Sequence, residues 1–494
     1  MTEIAASSSA DSGSGGSPAT GFGSRNYRKY ILGMLLSVYI FNFIDRTIIN
    51  ILTEPIKESF GVEDWQMGLL GGPAFAILYT FVGIPIARFA EKKHRVWIIA
   101  GSVALWSLMT VLCGFATSFI ALFIFRIGVS IGEAGCSPPA NSIIADYFVP
   151  AERSTAVSVY ALGIPLGGMV AYVFGGYVVG SLDGPSVAAL LASWNWNWAV
   201  DALDWQNIEA WRVAFVVVGL PGLIVALLVK VTIKEPPRGY TDPAHMQNKE
   251  QVGFGEVLKI LAKKPAYWHV TMGVTIASFV NYGVGQFFVS FLIRTHQLSI
   301  FDASVKIAMG LAVMASIGTY MSGYLADKYA ERFPKALALI PMFALMAVIP
   351  IHVTGYLTES LWLAVPLMMI GQMLLYTYLC PLYAVPSGVV DSRMRATAVA
   401  VTLFIVNLLG YGLGPPLIGG LSTILNSYFL SGLDPALTLE ACKSSGLTAA
   451  AQAACGTANA DGLQWSMIFF KCMYVWGVFH FYMASRTIQR DMGR

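Results

Sequence analysis

Two pairs of opposite charges interrupt apolar stretches of this 494-residue chain: Asp45 and Arg46 in "NFIDRTIIN", residues 42–50, and Arg126 and Glu133 in "RIGVSIGEAG", residues 126–135. Ionised side chains in hydrocarbon are costly, and where a chain keeps them they pair with one another and mark ion or substrate paths. Arg126 and Glu133 are seven residues apart, two helical turns, so they share a face, which also carries Gly128 and Gly132. Asp45 and Arg46 are adjacent, about 100° apart on a helix, and need partners on other helices. Asp45 is expected to pair with Arg126, and Arg46 to be shared between the surroundings of Asp45 and Glu133. A carboxylate held this way is pulled two ways, since desolvation favours its protonated form and a neighbouring arginine its ionised form. It can exchange a proton when the partner moves. These four residues therefore suit proton coupling, with Asp45 and Glu133 as proton carriers and Arg46 and Arg126 as charge partners. The competing reading is a fixed ion pair pinning one helix to another.

The elements that carry them are membrane helices. The chain is 56% hydrophobic and 12% charged, whereas charged residues make up about a quarter of a soluble protein. Apolar runs long enough to cross about 30 Å of hydrocarbon occur twelve times, at 30–52, 66–88, 96–116, 119–145, 154–180, 211–232, 266–293, 303–326, 335–356, 361–383, 397–422 and 464–485. The first 24 residues are rich in Ser, Gly and Ala without an apolar h-region, so disorder is expected there and a secretory signal is not. With both termini cytoplasmic, 23 of the 31 Lys and Arg fall on the cytoplasmic side, as the positive-inside rule asks. Six (Lys57, Arg212, Arg294, Lys306, Lys443 and Lys471) fall on the other side. This topology accounts for the net charge of +3 without a nucleic-acid surface.

The chain repeats itself. "ARFAEKKHR" at 87–95, after the second span, matches "GYLADKYAER" at 323–332, after the eighth, and the 236-residue offset from Glu91 to Asp327 carries the start of span one onto the start of span seven. "RSTAVSV" at 153–159 likewise matches "RATAVAV" at 395–401. The expected fold is an all-α membrane protein with two pseudo-symmetric six-helix bundles, 30–232 and 266–486. A disordered cytoplasmic terminus (1–29), a cytoplasmic linker (233–265, helical near 254–262) and a short cytoplasmic tail (487–494) complete it. Parallel repeats of this kind build alternating-access transporters, with the substrate site between the halves.

The paired loops carrying an acid and a lysine resemble the hallmark loop of the major facilitator superfamily, although Ala87 stands where Gly is usual and Glu91 where Asp is usual. The resemblance implies that Glu91, Lys92, Arg95, Asp327 and Lys328 form a cytoplasmic gate. "FIDRTIINIL", "RIGVSIGEAGCSPPANSIIADYF" and "VSVYALGIPLGG" together resemble the spinster branch of that superfamily, whose animal members export sphingosine-1-phosphate or lysophospholipids. This implies a proton-linked lipid transporter with Asp45, Arg46, Arg126 and Glu133 in its polar cluster, and the Gly-rich spans five and eleven resemble antiporters.

The second half is read as having no ionisable group at the depth of Asp45; it offers Asn281, Gln286, Gln372, Tyr376, Asn407 and Tyr411 as a substrate-cavity wall. A charged wall facing a hydrogen-bonding, apolar one suits an amphiphile. No HExxH, Walker loop or paired-Cys metal spacing occurs, and the G-x-S-x-G match at Gly128–Gly132 falls inside an apolar helical span with no strand-to-helix turn to make it a nucleophile elbow, so neither catalysis nor ATP drive is expected, and no cofactor beyond the coupling proton. Membrane lipids are the expected surroundings, and a monomer in a bacterial inner membrane the expected state. The alternatives are a carrier of small organic anions or drugs, which would bind carboxylates on Arg46 and Arg126, and a non-transporting lipid sensor or scramblase. Cys442 and Cys455 share the long loop before the last span and could form a disulfide or remain two thiols.

Overall fold

The computed structural model describes residues 21–201, 204–241, 253–330, 332–391, 394–444 and 446–493. Among them, twelve helices are long and apolar enough to cross a membrane: Arg25–Ile51, Asp64–Ala90, Arg95–Gly114, Phe119–Tyr147, Thr155–Ser181, Ala210–Thr232, Pro265–His296, Asp302–Ala330, Ala336–Leu357, Leu361–Gly388, Thr397–Leu433 and Ala449–Asp491, here spans one to twelve. Of residues 1–29, expected to be disordered, 1–20 lie outside the described set, but 25–29 are the first turn of span one, capped by Ser24. The linker's helix runs Phe254–Ala262, with Val257 and Leu261 buried, so it stands where the sequence places it. An even number of crossings puts the two chain ends on one face, called the terminal face below; the other is the far face.

Several spans are discontinuous, for reasons visible in the sequence. Span two breaks at Gly72, before Pro73, and span four at Gly135–Cys136, before Ser137, Pro138 and Pro139. Span ten passes through a 3-10 turn at Tyr376–Tyr378. Span eleven loosens into a π-helical stretch at Val406–Tyr411 just before Pro415 and Pro416, which lack the amide hydrogens that would bond Tyr411 and Gly412. Span twelve breaks at Met473.

Small residues set the spacing of the first half. A methyl group on Gly132 of span four would lie 2.7 Å from the backbone nitrogen of Trp106 in span three, and one on Gly167 of span five would lie 2.6 Å from the carbonyl oxygen of Ile40 in span one. Spans three and four, and spans one and five, therefore pack backbone to backbone. Thr110, one turn beyond Trp106 on span three, bonds Asp45 of span one.

The halves are clasped at the far face. Arg294, at the end of span seven, bonds Glu54 (Nη2–Oε1, 2.6 Å) and Asp64 (Nη2–Oδ1, 2.7 Å) of the first half. Asp64 also accepts from Lys57 Nζ at 2.8 Å and from Ser422 Oγ of span eleven at 2.6 Å. The close approach follows from glycines again, as a methyl group on Gly419 would meet the Asp64 carbonyl and one on Gly68 the Pro415 carbonyl.

A strap reinforces the clasp. Cys442 and Cys455 are joined in a disulfide, which settles the question the sequence left open, and Lys443 beside it reaches Glu440 (2.9 Å) and Glu63 of the first half (3.6 Å). Its hydrogen bond to Glu440, with the charges of Glu440 and Glu63, holds its ammonium above the usual lysine range. The sign is that of a raised base, so the strap's support is whole at neutral pH and is lost as pH rises through and above the ordinary lysine range. The expected result is that the far-face strap loosens on reduction, read at neutral pH as faster trypsin cleavage at Lys443. Cleavage unaffected by reductant would show that the disulfide does not hold this loop.

Candidate functional site

The four charges of the first half meet. Asp45 is 2% exposed, and both of its carboxylate oxygens lie 2.7 Å from the Thr110 hydroxyl. Arg126, fully buried, donates from Nη1 to the Asp45 carbonyl at 3.2 Å and stands 3.9 Å from its Oδ1. Arg46 donates from Nε to Glu133 Oε2 at 2.7 Å. Side-chain direction explains this split. A helical side chain leans toward its helix's N-terminus, which for span one is the terminal face, so the long Arg46 reaches down to Glu133, while the short Asp45 stays level with Thr110 and Arg126. Glu133 itself sits one residue before the end of the upper segment of span four.

The cluster is not fully satisfied. Arg126 Nε and Nη2, Glu133 Oε1, Ser130 Oγ and Asn42 Oδ1 are buried without a hydrogen-bond partner. Groups left in that state rearrange readily when a proton or ligand arrives, because any new partner relieves an unpaired polar atom. Arg46 also faces outward: its guanidinium carbon lies 4.6 Å from the ring centres of both Phe75 and Tyr79 and 5.1 Å from Phe43. Phe75 meets Tyr411 of span eleven edge-on at 5.5 Å, and Tyr411 meets Tyr282 of span seven at 4.7 Å. An aromatic chain thus runs from the charged cluster across to the second half.

In that half, Asn281 donates to the Tyr376 hydroxyl and accepts from Gln372 Nε2, both at 3.3 Å. Tyr411 stands on the aromatic chain, and Asn407 lies in the π-helical stretch of span eleven. Gln286 is elsewhere: 3% exposed, it donates to Thr53 of the first half at 3.1 Å, in the seam between halves.

The gate residues divide. The side chains of Glu91, Lys92 and Asp327 lie outside the described residues. Arg95 is 1% exposed and bound to Asp146 and to Glu235 (2.6 Å), so it ties span three to span four and to the linker within its own half. Lys328 lies over the rings of Tyr324 and Tyr329, at 5.8 and 5.5 Å. Neither bridges the halves among the described residues.

One ionisable group was misplaced by the sequence reading. Span twelve starts at Ala449, fifteen residues before the apolar run that marks it in sequence, so Lys471 is buried (1% exposed) and not on the far surface. With His352 (2% exposed) it overturns the expectation of an uncharged second half. Ala-rich "AAAQAACGTANA" carries too little hydropathy to be read as part of the span, yet alanine's helix propensity was the available clue.

A model of the Major Facilitator Superfamily matches residues 35–415. A crystal structure described as a bacterial homologue of the human lysosomal transporter spinster, in an inward-facing and unoccupied conformation, is 40% identical, with a TM-score of 0.89 over 95% of this chain and 99% of that one. The chain is a major facilitator of the spinster family. An MFS-type efflux pump of Mycolicibacterium smegmatis is 30% identical over 394 residues, 80% of this chain and 84% of the pump. Protein spinster of Drosophila melanogaster is 27% identical over 423 residues, 83% of this chain and 65% of that protein. For this spinster-family chain the twelve-helix fold and a transporter class are thereby settled, as is its place as a multi-pass integral membrane protein.

Proposed function

We propose that the protein is a proton-coupled secondary transporter of an amphipathic lipid, of the lysophospholipid or sphingosine-1-phosphate kind, working by alternating access. The observation that carries this is the buried Asp45 carboxylate, held by the Thr110 hydroxyl beside Arg126 and one residue from Arg46, which is partly exposed and bonds the fully buried Glu133. Protonation of Asp45 would remove the negative charge 3.9 Å from Arg126, whose Nε and Nη2 are already unpartnered; the anionic head of a lipid would compete for Arg46. The wall of Asn281, Gln372 and Tyr376 opposite supplies hydrogen bonds, and the aromatic chain supplies apolar surface. Exchange with protons, an inward-facing state for the arrangement clasped at the far face, cytoplasmic termini, a bacterial inner membrane and a monomer belong to the same proposal. Likeness to an inward-facing spinster homologue supports the state.

A second reading, a carrier of small organic anions or drugs, draws on likeness to the efflux pump and on Arg46, whose side chain is 19% exposed. Acyl length separates the two. Across a lysophospholipid series of increasing chain length, affinity is expected to rise by roughly 0.8 kcal/mol per buried CH₂, about fourfold per methylene, until the chain outgrows the cavity. Binding of glycerophosphate as tight as that of the long-chain lipid would sink the lipid reading and leave the anion one.

A further inference from the structure

Lys471 is used by nothing described above. It occupies the last turn of the helix Ala449–Cys472, where span twelve breaks, and its Nζ stands 5.4 Å from the ring centre of Tyr474 across that break. The break is a real interruption of the ladder, with Met473 N–H bonding Phe470 and Trp476 N–H bonding Met473 in three-residue turns. Backbone carbonyls at such an end carry partial negative charge, and in transporters the ends of interrupted helices are where coupling cations are held.

The surroundings contain acceptors but no counter-ion. His352 of span nine lies within electrostatic reach of Lys471, and its Nδ1 and the Tyr474 hydroxyl are both buried without a hydrogen-bond partner. Tyr356, also of span nine, and Tyr376 and Tyr378 of span ten approach Tyr474. Spans seven and eleven pack on the same helix; the charged group they bring to it is Arg294, at Asn459, twelve residues away. Among the described residues Lys471 makes no ion pair, and Asp461 on its own helix is ten residues, about 15 Å, toward the far face. An ammonium with no counter-ion in such a place is not tolerated permanently.

Height adds a further argument. Lys471 lies twenty residues before the helix end at Asp491, and Asp45 twenty residues after the helix start at Arg25, both ends being at the terminal face. The two are thus each about 30 Å of helix from the same face, one in each half. From Tyr376 a hydrogen bond leads to Asn281 and on to Gln372, so hydroxyl and amide groups extend from the neighbourhood of Lys471 to the proposed cavity wall.

We propose that Lys471 is a second proton-exchange site, built into the second half of the molecule, with His352 and Tyr474 as polar neighbours. The amine gives up its proton in the packed arrangement described here and takes one from water when span twelve rearranges at Met473. The second half then responds to pH in its own right, whatever the substrate proves to be.

Spin labels at Phe115 and Leu433, exposed residues of the two halves at the far face, report the distance between halves in a background in which the four cysteines outside the disulfide are replaced. Measured by double electron-electron resonance in nanodiscs from pH 4 to 10, the unmodified pair should show two titration steps. Lys471→Met should abolish one and leave the other, which Asp45→Asn abolishes. Lys471→Arg, fixed in charge, should also lack the step. Curves for Lys471→Met that superimpose on the parent would overturn the proposal. Thermal stability guards against misfolding: without a counter-ion to strand, Lys471→Met should melt no lower than the parent, and a marked loss would make Lys471 a structural cation, which also overturns it. His352→Gln should shift the midpoint of the same step; no shift there together with an intact step in Lys471→Arg would be equally decisive against it.

Discussion

Replacing Arg294 with alanine is expected to open the far face. Its guanidinium holds Glu54 and Asp64 through contacts of 2.6–2.8 Å, and Asp64 is 2% exposed. Removing one partner of a buried pair typically costs 3–5 kcal/mol, because the other charge stays behind. Lys57 and Ser422 still face Asp64, which puts the cost near the lower figure. All of it falls on the clasped arrangement, since the clasp exists only when the halves meet there. About 3 kcal/mol corresponds to roughly a hundredfold change in the ratio of clasped to open molecules. The check is the alkylation rate of a cysteine at Ser422, buried in the seam, by a membrane-impermeant maleimide. A rate unchanged by Arg294→Ala would mean that packing of spans two and eleven closes this face unaided.

The second large effect is expected at Arg46. Its removal takes from Glu133, fully buried and with Oε1 already unpartnered, the cation that bonds its Oε2. Arg46→Ala should therefore lower stability by about 3–5 kcal/mol, seen as a lower Tm or lost folded yield in detergent. Glu133→Gln added to Arg46→Ala removes the stranded charge and should recover much of the loss. Recovery will stop short of completion, because stacking on Phe43, Phe75 and Tyr79 is gone as well, each worth about 0.5–1 kcal/mol. A double variant as unstable as the single one would show that the Arg46–Glu133 bond is incidental and that the aromatic contacts alone hold the guanidinium.

How much of this was legible in sequence varied with the physical cause. Hydropathy runs give twelve spans because lipid imposes length and polarity directly on the chain. The charges at Asp45, Arg46, Arg126 and Glu133 stood out for the same reason. Their partners could be proposed from helix periodicity, and the structure places Asp45 near Arg126 and Arg46 on Glu133. Thr110 was missed: a lone threonine in an apolar span carries no periodic pattern, so nothing in the sequence marks it as the partner of Asp45. Gln286 was assigned to the cavity as a buried amide, but its height on span seven puts it in the seam, where Thr53 receives it. The far-face clasp was invisible because Arg294 and Asp64 sit at span ends, where positive-inside counting treats charges as solvated. Lys471 was misjudged because hydropathy undercounts alanine-rich turns.

The central claim, that Asp45 carries the coupled proton, is tested most directly by proton flux. Proteoliposomes holding a lumenal pH dye would receive lysophospholipid or sphingosine-1-phosphate, and the parent would be compared with Asp45→Asn at matched incorporation. Lipid-evoked proton flux in the parent that disappears in a folded Asp45→Asn is the predicted result. Equal flux in both would contradict it, leaving Asp45 a structural partner of Thr110 and Arg126 and moving the proton site elsewhere.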